Sequence, residues 1–219
     1  VSSTLQKPPR QVRRASTMGR IAHAATLHGY RSLTPMTAES PRVATEDDAE
    51  HLVRLVEASI RGFGPEFYDG QQLASSLEHL YGIDRQLIED GTYLVMERDE
   101  QIVAAGGWSY RRTTYGGDQR AEGRDPGERD PRLEPAAIRA FYVHPDYKRQ
   151  GCGRQLHAAC EKAARDADFR RLELLSTEMG AVFYRELGYT LGKTEQANLP
   201  DGIRIPIIHM VKPIDLSGA

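Results

Sequence analysis

The sequence predicts an α/β fold of the α+β type, in which helices pack against a central sheet. Two neighbouring runs, Thr92–Glu97 and Ile102–Tyr110, have strand composition, and the short polar turn between them is typical of an antiparallel hairpin. A third such run, Ala136–Val143, is followed by two closely spaced glycines and then by an apolar stripe at helical spacing. With 219 residues the chain can bury one good-sized core, so we expect one folded domain.

The other elements follow from similar patterns. Thr45 is placed as a helix N-cap with an acid, Asp48, three residues further on. Pro206 in the last strand indicates a sheet edge or a bulge at that point. In chain order we predict a short strand at Arg42–Ala44, helical patterns at Leu52–Phe63 and Leu73–Tyr81, the hairpin, the strand Ala136–Val143, a helix with its apolar stripe from Leu156 to Ala167, a strand at Arg171–Leu175, a short helix at Ala181–Leu187 and a last strand at Arg204–Val211.

Two segments depart from this regular pattern. Residues 1–40 carry six basic residues against a single acid, Glu39, and show no sustained apolar period. We interpret them as a basic, disordered tail; a transit peptide for organelle import and residues foreign to the native protein are the alternatives. Residues 111–135 form a polar insert with six basic and six acidic residues, a composition that supplies no core. The folded domain is therefore expected at residues 41–214.

Composition narrows the classes of function. A formal net charge of −2 argues against a nucleic-acid-binding protein, and no apolar run is long enough to predict a membrane-spanning helix. The two cysteines, Cys152 and Cys160, would lie about 12 Å apart on one helix, too far for a disulfide. A reducing, cytoplasmic location is expected, with organellar import if the tail is native. The cysteines and histidines show no spacing typical of a metal site.

The segment 143–154 predicts an anion-binding loop between a strand and a helix. Pro145 ends the strand, and the first turn of the next helix has N–H groups without intrahelical partners and a partial positive charge. Gly151 and Gly153 lack the β-carbons that would keep a phosphate away from these N–H groups. The cationic side chains beside them are Lys148, Arg149 and Arg154.

Two motifs resemble the GNAT superfamily of acyl-CoA-dependent N-acyltransferases. The loop Lys148–Gly153 is similar to the family's [Q/R]-x-x-G-x-[G/A], with lysine at the first position, and Phe183–Tyr189 is similar to F-Y-x-x-L-G-[F/Y]. The resemblance covers about Pro41 to Pro213. It implies the GNAT fold, a mixed and mostly antiparallel sheet of about seven strands with about four helices. In that fold the sheet splays between the fourth and fifth strands, here Ala136–Val143 and Arg171–Leu175.

The resemblance also implies acetyl-CoA as co-substrate and no metal. The pantetheine arm would lie in the splay, bonded like an extra strand to the backbone of Phe141–Val143, and the pyrophosphate would lie on the loop. Thr177 stands near a position where family members often carry an asparagine that touches the cofactor. The cofactor-binding residues implied in this way are Phe141, Tyr142, Val143, Lys148, Arg149, Gln150, Gly151, Cys152, Gly153, Arg154, Thr177 and Tyr184.

By resemblance, Tyr184 is the general acid that protonates the departing thiolate, and the backbone N–H of Tyr142 or Val143 stabilises the charge on the carbonyl oxygen. A phenol is neutral at pH 7 and can give up a proton in the transition state. A tyrosine beside Phe183 and Leu187 could also be a core residue.

The general base is less clearly indicated. Glu134, just before the strand Ala136–Val143, is a possible base, and Glu173 and Glu178 are further candidates, although each is also typical of a solvated surface acid. A chain of waters could take the proton instead. His144, at the end of the strand, is another possible proton relay.

Three residues are assigned to the amine acceptor. Arg139 lies in an apolar strand and must find a carboxylate, water or a cleft, because a buried unpaired charge is costly. We hypothesise that it pairs with a substrate carboxylate; the alternative is an internal acid such as Glu134 or Glu173. Phe63 and Tyr68 flank a glycine-containing segment that, with the insert, is expected to cover the acceptor.

The sequence therefore predicts an N-acetyltransferase that transfers an acetyl group from acetyl-CoA to a primary amine in a ternary complex. The acceptor is expected to be a small molecule or a peptide, with no nucleic-acid or membrane partner and a possible homodimer. Three alternatives stay open. The chain could be a non-catalytic module that binds acyl-CoA, an acyltransferase for a longer acyl chain, which Ala140 permits, or a nucleotide-binding α/β protein.

Overall fold

The computed structural model describes residues 40–113, 117–118, 125 and 127–215, so most of the predicted tail and part of the predicted insert lie outside the described residues. Within these ranges the helices and strands are, in chain order, β1 (Arg42–Val43), α1 (Ala49–Phe63), α2 (Gly70–His79), α3 (Arg85–Glu89), β2 (Tyr93–Arg98), β3 (Gln101–Ser109), β4 (Ala136–Val143), α4 (Cys152–Asp166), β5 (Arg171–Ser176), α5 (Glu178–Glu186), β6 (Thr190–Asn198) and β7 (Arg204–Pro213). The predicted α/β fold is confirmed.

The strands form one seven-stranded sheet in the order β1-β2-β3-β4-β5-β7-β6. Five of the six neighbouring pairs are antiparallel, and β4 and β5 are parallel. This parallel pair is short: it joins Ala136 to Leu172 and Ala137 to Glu173, after which the two strands separate. The predicted splay between the fourth and fifth strands is thus present, and it opens toward the carboxyl ends of both strands.

Helices cover the two faces of the sheet, and strand alternation decides which side chain faces which helix. On one face Ala105 and Tyr142 pack with Leu55 and other apolar residues of α1. On the other face Ala104 and Val143 pack with Leu156 of α4. Consecutive residues of β3 and β4 therefore contribute to two separate clusters, one below and one above the sheet.

The hairpin was predicted correctly, whereas two elements were not assigned to residues. Asp99 and Glu100 form the β2–β3 turn with φ of 49° and 62°, values that a tight hairpin turn requires. The sixth strand, Thr190–Asn198, was missed because it lies at the sheet edge, where every residue except Ala197 is exposed. The short helix α3 was missed because five residues carry too little apolar periodicity.

Ion pairs attach the described ends of the insert to the sheet. The Arg129 guanidinium is buried, donates to the carbonyl oxygen of Pro135 at 2.7 Å and pairs with Glu173 of β5 at 2.6 Å. At the other end Arg111 pairs with Asp90 at 2.7 Å. The insert therefore leaves and re-enters the domain at fixed points.

Candidate active site

The separation of β4 and β5 leaves a cleft of about 710 Å³. Ile60 and Phe63 of α1 line it from one face of the sheet, and Gly153 of α4 and Phe183 of α5 line it from the other. Because residues from both faces contribute, the cleft passes through the sheet. Two molecules could therefore approach one point from opposite sides.

A bulge in β4 lies beside this passage. Ala105 pairs with Tyr142 and Gly107 with Arg139, so two residues of β4, Ala140 and Phe141, face Gly106 alone. Ala140 has φ of 53°, the left-handed conformation that a non-glycine residue seldom adopts. Such strain is found where a strand must redirect its groups toward a ligand.

The strand register indicates which backbone groups face the opening. The N–H of His144 donates to the carbonyl oxygen of Val103 at 2.8 Å, and Ala105 pairs with Tyr142. Because the direction of backbone groups alternates along a strand, Tyr142 faces β3 and Val143 faces the splay. Val143 therefore presents backbone groups to a molecule lying in the cleft.

The anion loop predicted from the sequence borders one end of the cleft. Arg149 has φ of 64° and Gly151, the N-cap of α4, has φ of 85°. The N–H of Gln155 donates to the carbonyl oxygen of Gly151 at 3.0 Å, so the preceding N–H groups of Cys152, Gly153 and Arg154 have no acceptor within the helix. These groups and the helix dipole make this end of the cleft favourable for an anion.

Close packing explains the second glycine of the loop. A β-carbon on Gly153 would lie 3.2 Å from Cζ of Phe183 and 3.6 Å from Cγ2 of Val143. Cys152 beside it is buried among apolar residues that include Met96 and Leu156. The start of α4 is thus fixed against β4 and α5.

The cationic side chains of the loop are exposed and only weakly paired. Lys148 Nζ lies 3.8 Å from a Glu66 oxygen and 5.1 Å from the ring centroid of Phe63, and Arg154 lies 3.6 Å from Glu186. Exposed ion pairs of this length contribute little and rearrange easily. The Gln150 side chain is engaged elsewhere, because it accepts from Arg98 at 2.8 Å and donates to the Asp146 carbonyl at 3.1 Å.

Tyr184 lies on the wall of the cleft, within an aromatic cluster. Its ring is 6.3 Å from Phe141, 5.1 Å from Phe183 and 5.5 Å from Tyr189, measured between centroids. Burial raises the pKa of Tyr184 well above the usual value for a phenol. The hydroxyl therefore carries its proton at neutral pH.

The candidate bases lie away from this point or are already engaged. Glu134 precedes the end of β4 that is paired with β5, and the Arg112 guanidinium, 3.0 Å away, lowers the pKa of Glu134 to about 2. Glu173 also lies at the paired end, where it contacts Arg129 and, at 3.1 Å, His209. Glu178 is exposed at the start of α5. A carboxylate with so low a pKa is a weak proton acceptor, so Glu134 is poorly suited to the role of base.

His144 does not face the cleft wall formed by Phe141 and Tyr184. Its Nδ1 accepts a hydrogen bond from the N–H of Asp146 at 3.3 Å, and its ring packs on Tyr147. Its local role is to cap the turn that follows β4.

Arg139 lines the cleft and forms a buried ion pair with Asp84, a residue of the segment between α2 and α3. The internal acid is thus Asp84, and the two acids considered from the sequence, Glu134 and Glu173, are paired with other arginines. The pair joins β4 to the helical layer on the α1 face.

The aromatic residues assigned to the acceptor lie on this same side of the sheet. Phe63 lines the cleft. Tyr68 is buried, and its hydroxyl lies 3.2 Å from the hydroxyl of Tyr81, which does line the cleft. Thr177 lines the cleft as well, and its hydroxyl oxygen caps α5 by accepting from the N–H of Gly180 at 3.2 Å.

Sequence reasoning missed part of this wall. Leu80, Tyr81 and Ile207 line the cleft, yet their spacing resembles that of ordinary core residues, whereas Phe67 lies in the segment that the sequence assigns to the acceptor. Asp84 was missed because its partner lies 55 residues away along the chain.

A mixed sheet that opens between its parallel strands, with a helix N-terminus at the border of the opening, defines the class of acyl-CoA-dependent N-acyltransferase folds. Residues 89–191 match the family model described as an acetyltransferase (GNAT) domain. This match assigns residues 89–191, a little under half of the chain, to the GNAT superfamily.

Solved structures with the same fold support this assignment. A GCN5-related N-acetyltransferase from Rhodopseudomonas palustris is 20% identical, with a TM-score of 0.58 over 81% of this chain and 98% of that one. The PaiA N-acetyltransferase from Thermoplasma acidophilum, solved with coenzyme A, is 14% identical, with a TM-score of 0.52 over 81% and 99%. YncA from Salmonella typhimurium, a putative acetyltransferase solved with acetyl-CoA, is 16% identical, with a TM-score of 0.52 over 82% and 96%. No curated protein sequence matches the chain.

Two searches of the described ranges were negative. No described helix is both long and apolar enough to cross a bilayer. Within the same ranges, no three or more His, Cys, Asp or Glu side chains are grouped so that they could hold a metal ion.

Proposed function

We propose that the protein is an N-acetyltransferase that uses acetyl-CoA and acetylates a primary amine by direct attack in a ternary complex. The observation that carries the proposal is the continuity of the cleft: the splay-facing backbone of β4 leads to the free N–H groups at the start of α4. Acetyl-CoA combines an extended amide-containing arm with a pyrophosphate, and these two parts match the two surfaces in the same order. The coenzyme A and acetyl-CoA bound to the PaiA and YncA structures support this proposal.

The residues present are suited to acetyl-CoA. The N–H groups of Cys152, Gly153 and Arg154 would hold the pyrophosphate, and Lys148, which lies beside Glu66, would add positive charge near the phosphates. Backbone N–H and C=O groups of Val143 would bond the amides of the pantetheine arm. The thioester that acetyl-CoA brings supplies the activated acyl group.

The chain's own groups would then assist the transfer. The amine nitrogen forms a bond to the thioester carbonyl carbon while the carbon–sulfur bond breaks, and the sulfur takes the proton of the Tyr184 hydroxyl. Of the two backbone N–H groups expected from the sequence, that of Tyr142 faces β3, so the N–H of Val143 would stabilise the negative charge on the carbonyl oxygen. Water takes up the proton of the amine, because Glu134 and Glu173 lie at the closed end of the strands, and returns a proton to the Tyr184 oxygen.

The test is release of free thiol from acetyl-CoA by the full chain in the presence of primary amines. We expect thiol release that depends on the amine, with one molecule of acetylated amine formed for each thiol released. Tight binding of acetyl-CoA without release by any amine would instead favour a non-catalytic acyl-CoA-binding module.

A further inference from the structure

The cleft wall on the α1 face has a distinct chemical character. We name this wall the acceptor wall, and it consists of Ile60, Phe63, Phe67, Leu80, Tyr81 and Ile207. Five of the six have aliphatic or phenyl side chains, and the sixth is Tyr81. Phe67 is 36% exposed even though it is a large apolar residue at the opening. An exposed apolar side chain on a cleft wall indicates an apolar ligand.

The charged side chains that line the cleft lie outside the acceptor wall. Most belong to the anion loop or pair with it: Lys148, Arg149, Arg154, Glu66 and Glu186. Away from the loop, the charged side chain among the described lining residues is Arg139, which is buried and paired with Asp84. The six residues of the acceptor wall carry no carboxylate, and the carboxylate beside them, that of Glu66, is paired with Lys148 at 3.8 Å.

This distribution restricts the acceptor. A second ammonium group would lose its hydration and would have to displace Lys148 from Glu66 to gain a carboxylate, which is unfavourable in a buried site. A carboxylate on the acceptor would have to compete with Asp84 for Arg139. An alkyl or aryl body, in contrast, would be transferred from water to the apolar wall, a gain of up to about fourfold in affinity for each methylene.

We propose that the acceptor is a monoamine with an apolar alkyl or aryl body, and that diamines, polyamines and amino acids are poor acceptors. This proposal rests on the N-acetyltransferase function proposed above and names its substrate class. Among the six residues of the wall, the polar side-chain group is the Tyr81 hydroxyl, which lies 3.2 Å from the Tyr68 hydroxyl.

Two matched pairs of amines test the proposal. Hexylamine and 1,6-diaminohexane have the same chain and differ by one ammonium group, and phenethylamine and phenylalanine differ by one carboxylate. We expect kcat/KM to be at least tenfold higher for hexylamine than for the diamine and for phenethylamine than for phenylalanine. The α-amino group of phenylalanine is less basic than the amine of phenethylamine, so a larger fraction of it is unprotonated and able to attack. This difference alone would favour phenylalanine, which is opposite to the result that we expect.

A variant provides an independent test of the wall. Phe67→Glu places a carboxylate at the opening, and we expect it to reduce the preference for hexylamine over 1,6-diaminohexane by at least fivefold. Val53→Glu is the matched control, because Val53 is 52% exposed on α1 and does not line the cleft. It should keep the wild-type preference.

The outcomes separate this proposal from the function on which it rests. Equal or faster acetylation of 1,6-diaminohexane or phenylalanine would overturn the substrate class and leave the N-acetyltransferase function intact. Binding of acetyl-CoA without acetylation of either monoamine would also overturn the substrate class. If the folded chain bound no acetyl-CoA, the proposed function and this inference would both be wrong.

Discussion

The Arg139 guanidinium in β4 is paired with the Asp84 carboxylate, and the two side chains are 2% and 0% exposed. Both charges are removed from water in the folded chain, so each depends on the other for compensation. The pair also connects the strand that carries the bulge to the segment leading into α3, which lies on the acceptor side of the sheet.

Removing one charge of this pair should be costly. We expect Asp84→Asn to lower the free energy of unfolding by about 3–5 kcal/mol, because the guanidinium stays buried without its counter-charge. The double variant Asp84→Leu, Arg139→Leu should recover more than half of that loss. Urea denaturation gives the free energy of unfolding of the wild type, the single variant and the double variant. A loss below about 1 kcal/mol for Asp84→Asn would contradict the claim that Arg139 depends on Asp84 as its counter-charge.

The Arg139→Gln variant tests the sequence-based assignment of Arg139 to the acceptor. If Arg139 only holds the helical layer in place, KM for phenethylamine and for phenylalanine should change by the same factor. A selective rise in KM for phenylalanine would indicate that Arg139 binds a substrate carboxylate.

The bulge depends on a glycine in the neighbouring strand. A β-carbon on Gly106 would lie 2.4 Å from Cε2 of Phe141, so the Phe141 ring would have to leave its position. We expect Gly106→Ala to cost about 1–3 kcal/mol of stability and to weaken acetyl-CoA binding at least tenfold. Gly70→Ala is the control, because nothing lies within 4 Å of its added β-carbon. Unchanged acetyl-CoA affinity in Gly106→Ala would contradict a role of the bulge in binding acetyl-CoA.

The Tyr184→Phe variant tests the general acid. We expect kcat to fall about 10²-fold while acetyl-CoA binds as in the wild type, since the change removes one hydroxyl from the wall. The raised pKa keeps Tyr184 protonated where an ordinary tyrosine ionises, so the wild-type rate should not fall between pH 8 and 10 through loss of this proton. Tyr110→Phe, a change outside the cleft, should retain full activity. A kcat within threefold of wild type in Tyr184→Phe would contradict the assignment.

His157 should make the stability depend on pH. It is buried, its Nε2 lies 2.9 Å from the Tyr189 hydroxyl, and burial, followed by the charge of Lys212, lowers the pKa of His157 to about 4. The unfolded chain, with a histidine pKa near 6.5, binds the proton first as pH falls. The stabilisation is therefore complete above pH 6.5 and is lost between pH 6.5 and 4, up to about 3 kcal/mol.

The measurement is the free energy of unfolding by urea at pH 7.5, 6 and 5 in three proteins. His157→Gln should show a flatter dependence than wild type, although Glu161, 3.5 Å from Nδ1, and Lys212 remain nearby. His51→Gln, a change on the exposed side of α1, should keep the wild-type slope. Parallel curves for His157→Gln and wild type would contradict the buried neutral histidine.

The sequence was most informative where a function depends on local pattern. The hairpin, β4 and the loop at Gly151 and Gly153 each have a signal within a dozen residues, and they lie where that signal places them. The splay is also present, between β4 and β5, as the family resemblance implied.

The sequence was least informative where tertiary contacts decide. In the sequence Asp84 resembles an ordinary loop acid, and only the fold places it beside Arg139. Tyr81 likewise resembles a core residue in the sequence, and only the fold shows that it lines the cleft. The edge strand β6 has a polar sequence because it is solvated, so no alternation identified it. These features depend on neighbours distant in the chain, which local periodicity does not report.

The most direct test of the central claim is calorimetric titration of acetyl-CoA into the wild-type chain, the Gly153→Glu variant and the Gly70→Glu variant. Glu at residue 153 places a negative charge among the N–H groups that should hold the pyrophosphate, whereas Glu at residue 70 adds the same charge in open space away from the cleft. We expect micromolar binding by the wild type and Gly70→Glu, and at least a hundredfold loss in Gly153→Glu. No binding by the folded wild type, or equal binding by Gly153→Glu, would contradict the assignment of the cleft to acetyl-CoA.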